Sequence, residues 1–196
     1  MAAGSGFGEL CSILSAVSWA VGVIFYRQLG ATLPPLQLNF LKNLLVMGML
    51  VPAIIAVHGL HPSPLSIPQI VVSVASGVLE AQPLLWVTGW RMLGALLGMA
   101  AIALLRGEGR YLFPAASGIP WARLVLAAFL GQFLAMLLWL AGYKYTLASV
   151  AAILNETASV FILVLAAIWL KEPLTRRAAI GVMLTLGGVS VMLWLA

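Results

Sequence analysis

Long apolar runs broken by short polar punctuation make up nearly the whole chain. Crossing the roughly 30 Å hydrocarbon core of a bilayer takes about 20 apolar residues in a helix. Five runs reach that length, residues 10–28, 36–57, 83–105, 120–143 and 146–170, and a sixth, 176–196, also fits. Between the second and third lies "IPQIVVSVASGVLE", residues 67–80, too short to cross unaided. It reads equally as a re-entrant piece, an interfacial helix or the remnant of a longer span. The linkers "RQLGATLPP", "HGLHPSPLS", "RGEGRYLFPAASGIP", "YK" and "KEPLTRR" carry helix breakers where helices should end. The pattern predicts an all-α integral membrane protein, a bundle of six to seven transmembrane helices.

Composition agrees. The chain is 63% hydrophobic and 8% charged, with a mean hydropathy of +1.12. A soluble domain carries roughly 25% charged residues, so this inventory cannot build a water-facing surface. The net charge of +5 does not point to nucleic acid, because the basic residues are scattered among helix ends and form no patch. At membrane helix ends they act as topology signals and headgroup contacts. Cys11 is the lone cysteine, which leaves no internal disulfide and no cysteine-based metal site. The opening "MAAGSGFGEL" lacks a basic stretch before its apolar run, so Leu10 to Phe25 is read as a retained span and not a cleaved signal.

In a six-pass chain Arg27, Arg106, Arg110, Arg123, Lys171, Arg176 and Arg177 would share one side, against Lys144 on the other. The positive-inside rule then makes the first set cytoplasmic and puts both termini outside. There is also a faint internal repeat. "PPLQLNFLKNLL" overlays "PLLWVTGWRMLG" without a gap, pairing Pro34 with Pro83 and Lys42 with Arg91. In each copy a proline opens the helix, where its missing N–H costs nothing, and a basic residue follows about two turns later.

The polar residues inside these spans are the candidate chemistry. In "ASVAAILNETASVFILVLAAIWLKEPLT", Glu156 lies about ten residues into the fifth span, roughly 15 Å deep at 1.5 Å per residue. Lys42 and Arg91 lie at roughly 12 Å. Insertion of such groups at a helix centre costs about 2.5–3.5 kcal/mol each, so they are expected to face one another, other polar groups or water. Ala148, Ala151, Ala152, Asn155, Glu156 and Ser159 share one small or polar face, while Val150, Ile153, Leu154, Val160, Phe161 and Val164 mostly cover the other. The narrow face is expected against the bundle and the branched face toward lipid. Asn39 and Asn43 lie close to Lys42 on the second span, Trp90 adjoins Arg91, and Gln132 is central in the fourth. Together Glu156, Asn155, Arg91, Lys42, Asn39, Asn43, Trp90 and Gln132 are the candidate residues of a mid-depth solute or ion pathway. The competing reading is a structural ion pair between Glu156 and one of the two bases.

Other features carry less. His58 and His61 fall at a proline-rich loop and read as interfacial. Gly94 to Gly98, and the series Ala127, Gly131, Ala135, are small-residue packing faces, through which a homodimer is a candidate assembly. "RGEGR" reads as a turn. The sequence offers no set of nucleophile, base and orienter and no metal-ligand motif, so neither an enzyme nor a cofactor is expected.

The end of the chain, "YKYTLASVAAILNETASVFILVLAAIWLKEPLTRRAAIGVMLTLGGVSVML", resembles the end of an EamA-type repeat of the drug/metabolite transporter superfamily. Glu172, Leu174 and Thr175 match its acidic turn, and Gly181, Gly187 and Gly188 match its closing helix. The opening "SAVSWAVGVIFYRQLG", with Trp19, looks like the family's first helix, with Ala20 where a glycine is usual and Gly22 close by. The resemblance implies two inverted five-helix repeats and export or exchange of small metabolites or drugs by alternating access, with solute near the midplane at the repeat interface. It also implies cytoplasmic termini, opposite to the loop charges. This chain has room for fewer spans. Residues 1–80 read as a partial first repeat of two spans plus a short third segment, and 81–196 as a second repeat of about four spans, joined across an internal deletion. Asn155 and Glu156 stand where relatives commonly show proline.

The expected function is therefore a multi-pass transporter of a bacterial inner (plasma) membrane, with the lipid bilayer and a small organic solute as partners and protons as a candidate co-substrate. The alternative is a non-transporting assembly partner, or a truncated remnant of such a transporter.

Overall fold

The computed structural model describes residues 5–59, 65–75, 84–113, 118–173 and 175–195. Among these residues the regular structure is helical, and five helices are long and apolar enough to cross a membrane: Gly6–Leu29, Pro35–His58, Leu85–Leu105, Trp121–Tyr145 and Ala148–Trp169. The protein is an all-α integral membrane protein. The chain divides into two compact units, one of Met1–Gln28 with Phe129–Ala196 and the other of Leu29–Ala128.

In the unit Leu29–Ala128, helix α2 (Pro35–His58) begins on a proline, as expected of a residue with no N–H to leave unsatisfied. Pro52 sits inside it, where it can donate no bond back along the helix. Gly59, at φ 67°, closes it with its N–H on the Ile55 carbonyl at 2.8 Å. The short segment at 67–80 forms α3 (Ile67–Ala75), nine residues long. At 1.5 Å per residue that is roughly 13 Å, under half the hydrocarbon thickness; residues 76–83, including the expected helix-opening Pro83, lie outside the described set. Helix α4 (Leu84–Leu105) packs on both α2 and α3. Beyond it Gly107, at φ 69°, reverses the chain into a 3₁₀ turn at Gly109–Tyr111. The turn folds Leu112 into a cluster with Phe40, Leu96 and Ala103, and Phe113 meets the edge of Phe40 at 5.3 Å. Helix α5 (Trp121–Ala128) packs on α2. Lipid is as apolar as these side chains, so van der Waals fit supplies the association.

In the other unit, α1 (Ser5–Leu29) lies against the continuation of the fourth span. That span winds wide as a π-helical turn at Phe129–Leu134, then resumes as α6 (Ala135–Tyr145). The approach is close because the facing positions are small: Gly8 against the backbone of Tyr145 and Thr146, Ser12 against Gly142, and Gly22 against Gly131. The expected packing series is confirmed, with Ala127 fully buried and Ala135 3% exposed. By contrast Gly98 meets nothing within 4 Å.

The fifth span is interrupted. It forms α7 (Ala148–Glu156) and α8 (Ala158–Trp169), parted at Thr157. At its end the N–H groups of Leu170 and Glu172 both reach the Ala166 carbonyl, at 3.0 and 3.3 Å, and Lys171 takes φ 54°. This is the left-handed helix stop usually given to glycine. Thr175 then accepts the Ala178 N–H on its hydroxyl at 3.2 Å and caps α9 (Arg176–Leu195). The threonine of the acidic turn thus has a local structural role. Side chains of α9, the sixth predicted segment, are described through Val191.

Candidate functional site

The expected site residues divide between the two units. On α2, Asn39 is exposed and spends its amide on its own helix, Nδ2 donating to the Pro35 carbonyl at 3.0 Å. Asn43 is buried and Lys42 half-buried. Thr88 on α4, which flanks Arg91 in the sequence and was read with it as lining a polar cavity, is buried, and Gln37 on α2 is a further buried polar group that the sequence reading did not assign to the site. On α4, Arg91 is half-buried beside Trp90. Trp90 lines a cavity of about 360 Å³ between α2 and α4, together with Met47, Val51, Ile54, Trp86 and Leu93. The lining of this cavity is apolar, and Lys42, Arg91 and the two asparagines are not part of it. Gly89 shapes it, since a Cβ there would press on Ile54 Cδ1 at 3.2 Å. His58 and Trp86 lie with ring centroids 6.4 Å apart; His61 is outside the described residues.

In the unit that holds α1 and α6–α9, Gln132 sits within the π turn with its Oε1 enclosed. Asn155 donates from Nδ2 to the Ala151 carbonyl at 2.8 Å. Thr157 donates to the Leu154 carbonyl, and Ser159 to that of Glu156 at 2.8 Å. Three consecutive odd positions therefore bond back onto their own helix, a pattern that bends helices. The backbone agrees: Thr157 N–H bonds three residues back to Leu154, and Val160 N–H three back to Thr157, so one tight turn replaces the α pattern. Glu156 is the last residue before this break.

The Glu156 side chain is exposed, and among the described residues its carboxylate enters no ion pair; the one ion pair present joins Arg27 and Glu172 at 3.0 Å. Tyr143 of α6 lies with its ring centroid 4.8 Å from that of Trp139 one turn back. The two faces expected of the fifth span are only half right. Ala151 is fully buried, as anticipated for the small face. Yet Ile153, assigned to lipid, is 4% exposed, while Glu156 and Ser159 are exposed. The break at Thr157 is the physical reason, because one helical wheel cannot describe a span that changes winding at its centre.

The sequence reading passed over Ser12, Ser15 and Ser18, all buried on α1. Ser15 Oγ donates to the Ala135 carbonyl at 2.8 Å, just past the π turn, and Ser18 Oγ to the Leu130 carbonyl at 2.7 Å, inside it. Ser12 Oγ bonds within α1 to the Gly8 carbonyl at 3.1 Å. The usable signal was their spacing of three, framed by Gly8 and Gly22 on the same helix. No cluster of three or more potential metal ligands occurs among the described residues.

No curated protein and no solved structure matches the chain. A family model does match: that of the EamA-like transporter family, over residues 70–194, more than half of the chain and including the fifth span with its break at Glu156. The chain belongs to the EamA-like transporter family.

Proposed function

We propose that the protein moves a small organic solute across a bacterial inner membrane by alternating access, in export or exchange, and that Glu156 lies on the path. The observation that carries this is a carboxylate at a helix break midway through a span, outside any ion pair among the described residues. A charge so placed costs about 2.5–3.5 kcal/mol on insertion scales, and intramembrane ionisable groups mark solute or proton paths by default. Broken helices with polar groups at the break are also the usual way such carriers build a mid-depth site. Asn155 and Gln132, which belong to the same unit as Glu156, are the further candidates for the path in this reading. Residues 1–80 and 81–196 are the partial first and the second repeat.

The test is the Glu156→Gln substitution, with the purified protein reconstituted in vesicles and assayed for uptake of labelled amino acids and other small metabolites across a pH gradient. The reading expects a loss of at least tenfold in rate and of its pH dependence, with Glu156→Asp retaining part of both. Equal rates and an equal pH profile in wild type and Glu156→Gln would remove this residue from the mechanism.

A further inference from the structure

Along the chain the basic residues are dispersed, but the fold gathers four of them at one corner of the unit that holds α1 and α6–α9. Arg27, in the last turn of α1, meets Glu172 at 3.0 Å. Glu172 lies in the turn between α8 and α9, with Lys171 beside it and Arg176 and Arg177 opening α9. Neighbouring Cα atoms are about 3.8 Å apart, so those of Lys171 and Arg176 lie within about 4 and 15 Å of that of Glu172. Lys171, Arg176 and Arg177 are all exposed.

One carboxylate stands among these four cations, and Arg27 already pairs it. Among the described residues Lys171, Arg176 and Arg177 enter no ion pair. The other two carboxylates of the unit are a helix away. Glu9 is roughly 27 Å from Arg27 along α1, and Glu156 is parted from the turn by α8, roughly 18 Å long. Exposed charges that far apart are largely screened, the screening length being about 10 Å at 0.1 M salt. The corner therefore keeps three positive charges uncompensated.

Below these charges the surface is apolar. Trp169 ends α8 and meets Phe25 of α1 at 5.9 Å between ring centroids, and a tryptophan at the end of a span marks the level of the headgroups. Ile168 and Trp169 on α8, and Ile180 and Leu184 on α9, are each more than half exposed. Arg177, Ile180 and Leu184 fall at i, i+3 and i+7, one face of α9, with the arginine outermost. Helices α8 and α9 are in contact, and each carries exposed apolar side chains on the bilayer side of the cations. Such a surface matches an amphiphile with an anionic head and acyl tails. A free anion leaves the apolar part unused, and a zwitterionic lipid brings a positive charge with its negative one.

We propose that Lys171, Arg176 and Arg177 form a binding site for an anionic phospholipid, its phosphate among the three cations and an acyl chain along Ile180 and Leu184. The Arg27–Glu172 pair ties α1 to this corner and takes the nearby carboxylate out of competition. The site needs neither the transported solute nor Glu156.

The test is binding of phosphatidylglycerol with a pyrene-labelled tail to the full chain in nonionic detergent, read by energy transfer from the tryptophans, against phosphatidylcholine with the same tail. Wild type should bind the anionic lipid at least tenfold more tightly, and the preference should fall as salt rises. Each cation near an anionic headgroup contributes roughly fivefold, so Lys171→Gln/Arg176→Gln/Arg177→Gln should lose at least tenfold for phosphatidylglycerol and less than twofold for phosphatidylcholine. Arg106→Gln/Arg110→Gln/Arg123→Gln, which removes as much charge at other positions, should stay within twofold of wild type. Equal losses in the two triple variants would overturn the proposal, because net charge and not this corner would set the preference. Displacement of the lipid by excess inorganic phosphate would overturn it too, as the mark of a free-anion site. If the glutamine variant does not fold, the wild type still decides: no preference between the two lipids, or one independent of salt, would sink the site.

Discussion

Gly22 and Gly131 meet backbone to backbone: a Cβ on Gly131 would lie 2.6 Å from Gly22 Cα, and a Cβ on Gly22 would overlap Gly131 Cα. The obstacle on each side is main chain, which cannot rotate out of the way. Gly22→Ala or Gly131→Ala should therefore cost about 1–3 kcal/mol or more, the usual penalty for overpacking. Unfolding in mixed detergent micelles reads this directly. Gly181, with nothing within 4 Å, is the control: Gly181→Ala should be neutral, or stabilising by up to about 1 kcal/mol through helix propensity.

Arg27 in the last turn of α1 and Glu172 in the turn before α9 form an ion pair at 3.0 Å, with both side chains nearly half exposed. Water screens such a pair, so a double-mutant cycle with Arg27→Ala and Glu172→Ala should return a coupling of about 0.2–1 kcal/mol. The coupling should shrink as salt rises from 0.1 to 1 M, where the screening length falls to roughly 3 Å. A coupling independent of salt would show that packing, including the nearby Phe25–Trp169 ring contact at 5.9 Å, carries the link.

Lys171 holds φ 54° at the stop after α8, a left-handed conformation that costs an L-residue roughly 1–2 kcal/mol. Lys171→Gly should raise stability by about 1 kcal/mol, and Lys171→Val should lower it. Thermal unfolding of the two variants side by side checks the sign.

Thr175 caps α9 by accepting the Ala178 N–H. Thr175→Ala should cost about 1 kcal/mol and Thr175→Ser or Thr175→Asp much less, the ordinary ranking at helix N-caps. Hydrogen exchange at the Ala178 amide would report the loss before any global change.

What was legible beforehand follows from which signals are local. Apolar length placed every long helix, the proline pair at Pro34 marked a start within one residue, and the acidic turn after Trp169 marked a stop, because each depends on a few adjacent residues. Mid-span polar residues could be found but not oriented: Glu156 and Ser159 are exposed and Ile153 is buried, since the winding changes at Thr157 and a helical wheel assumes it does not. The π turn was invisible for the same reason, as "FLGQFL" is an ordinary apolar run by composition. Ser15 and Ser18 were passed over because their acceptors are 120 and 112 positions away.

Those long separations bear on how the molecule is made. When Ser18 is joined to the growing chain, the carbonyl it will bond is 112 residues from being synthesised, roughly 6–22 s at 5–20 residues per second. Until then neither Ser15 nor Ser18 has its final acceptor. A helical serine can bond back onto its own helix, as Ser12 does to Gly8 in the finished protein.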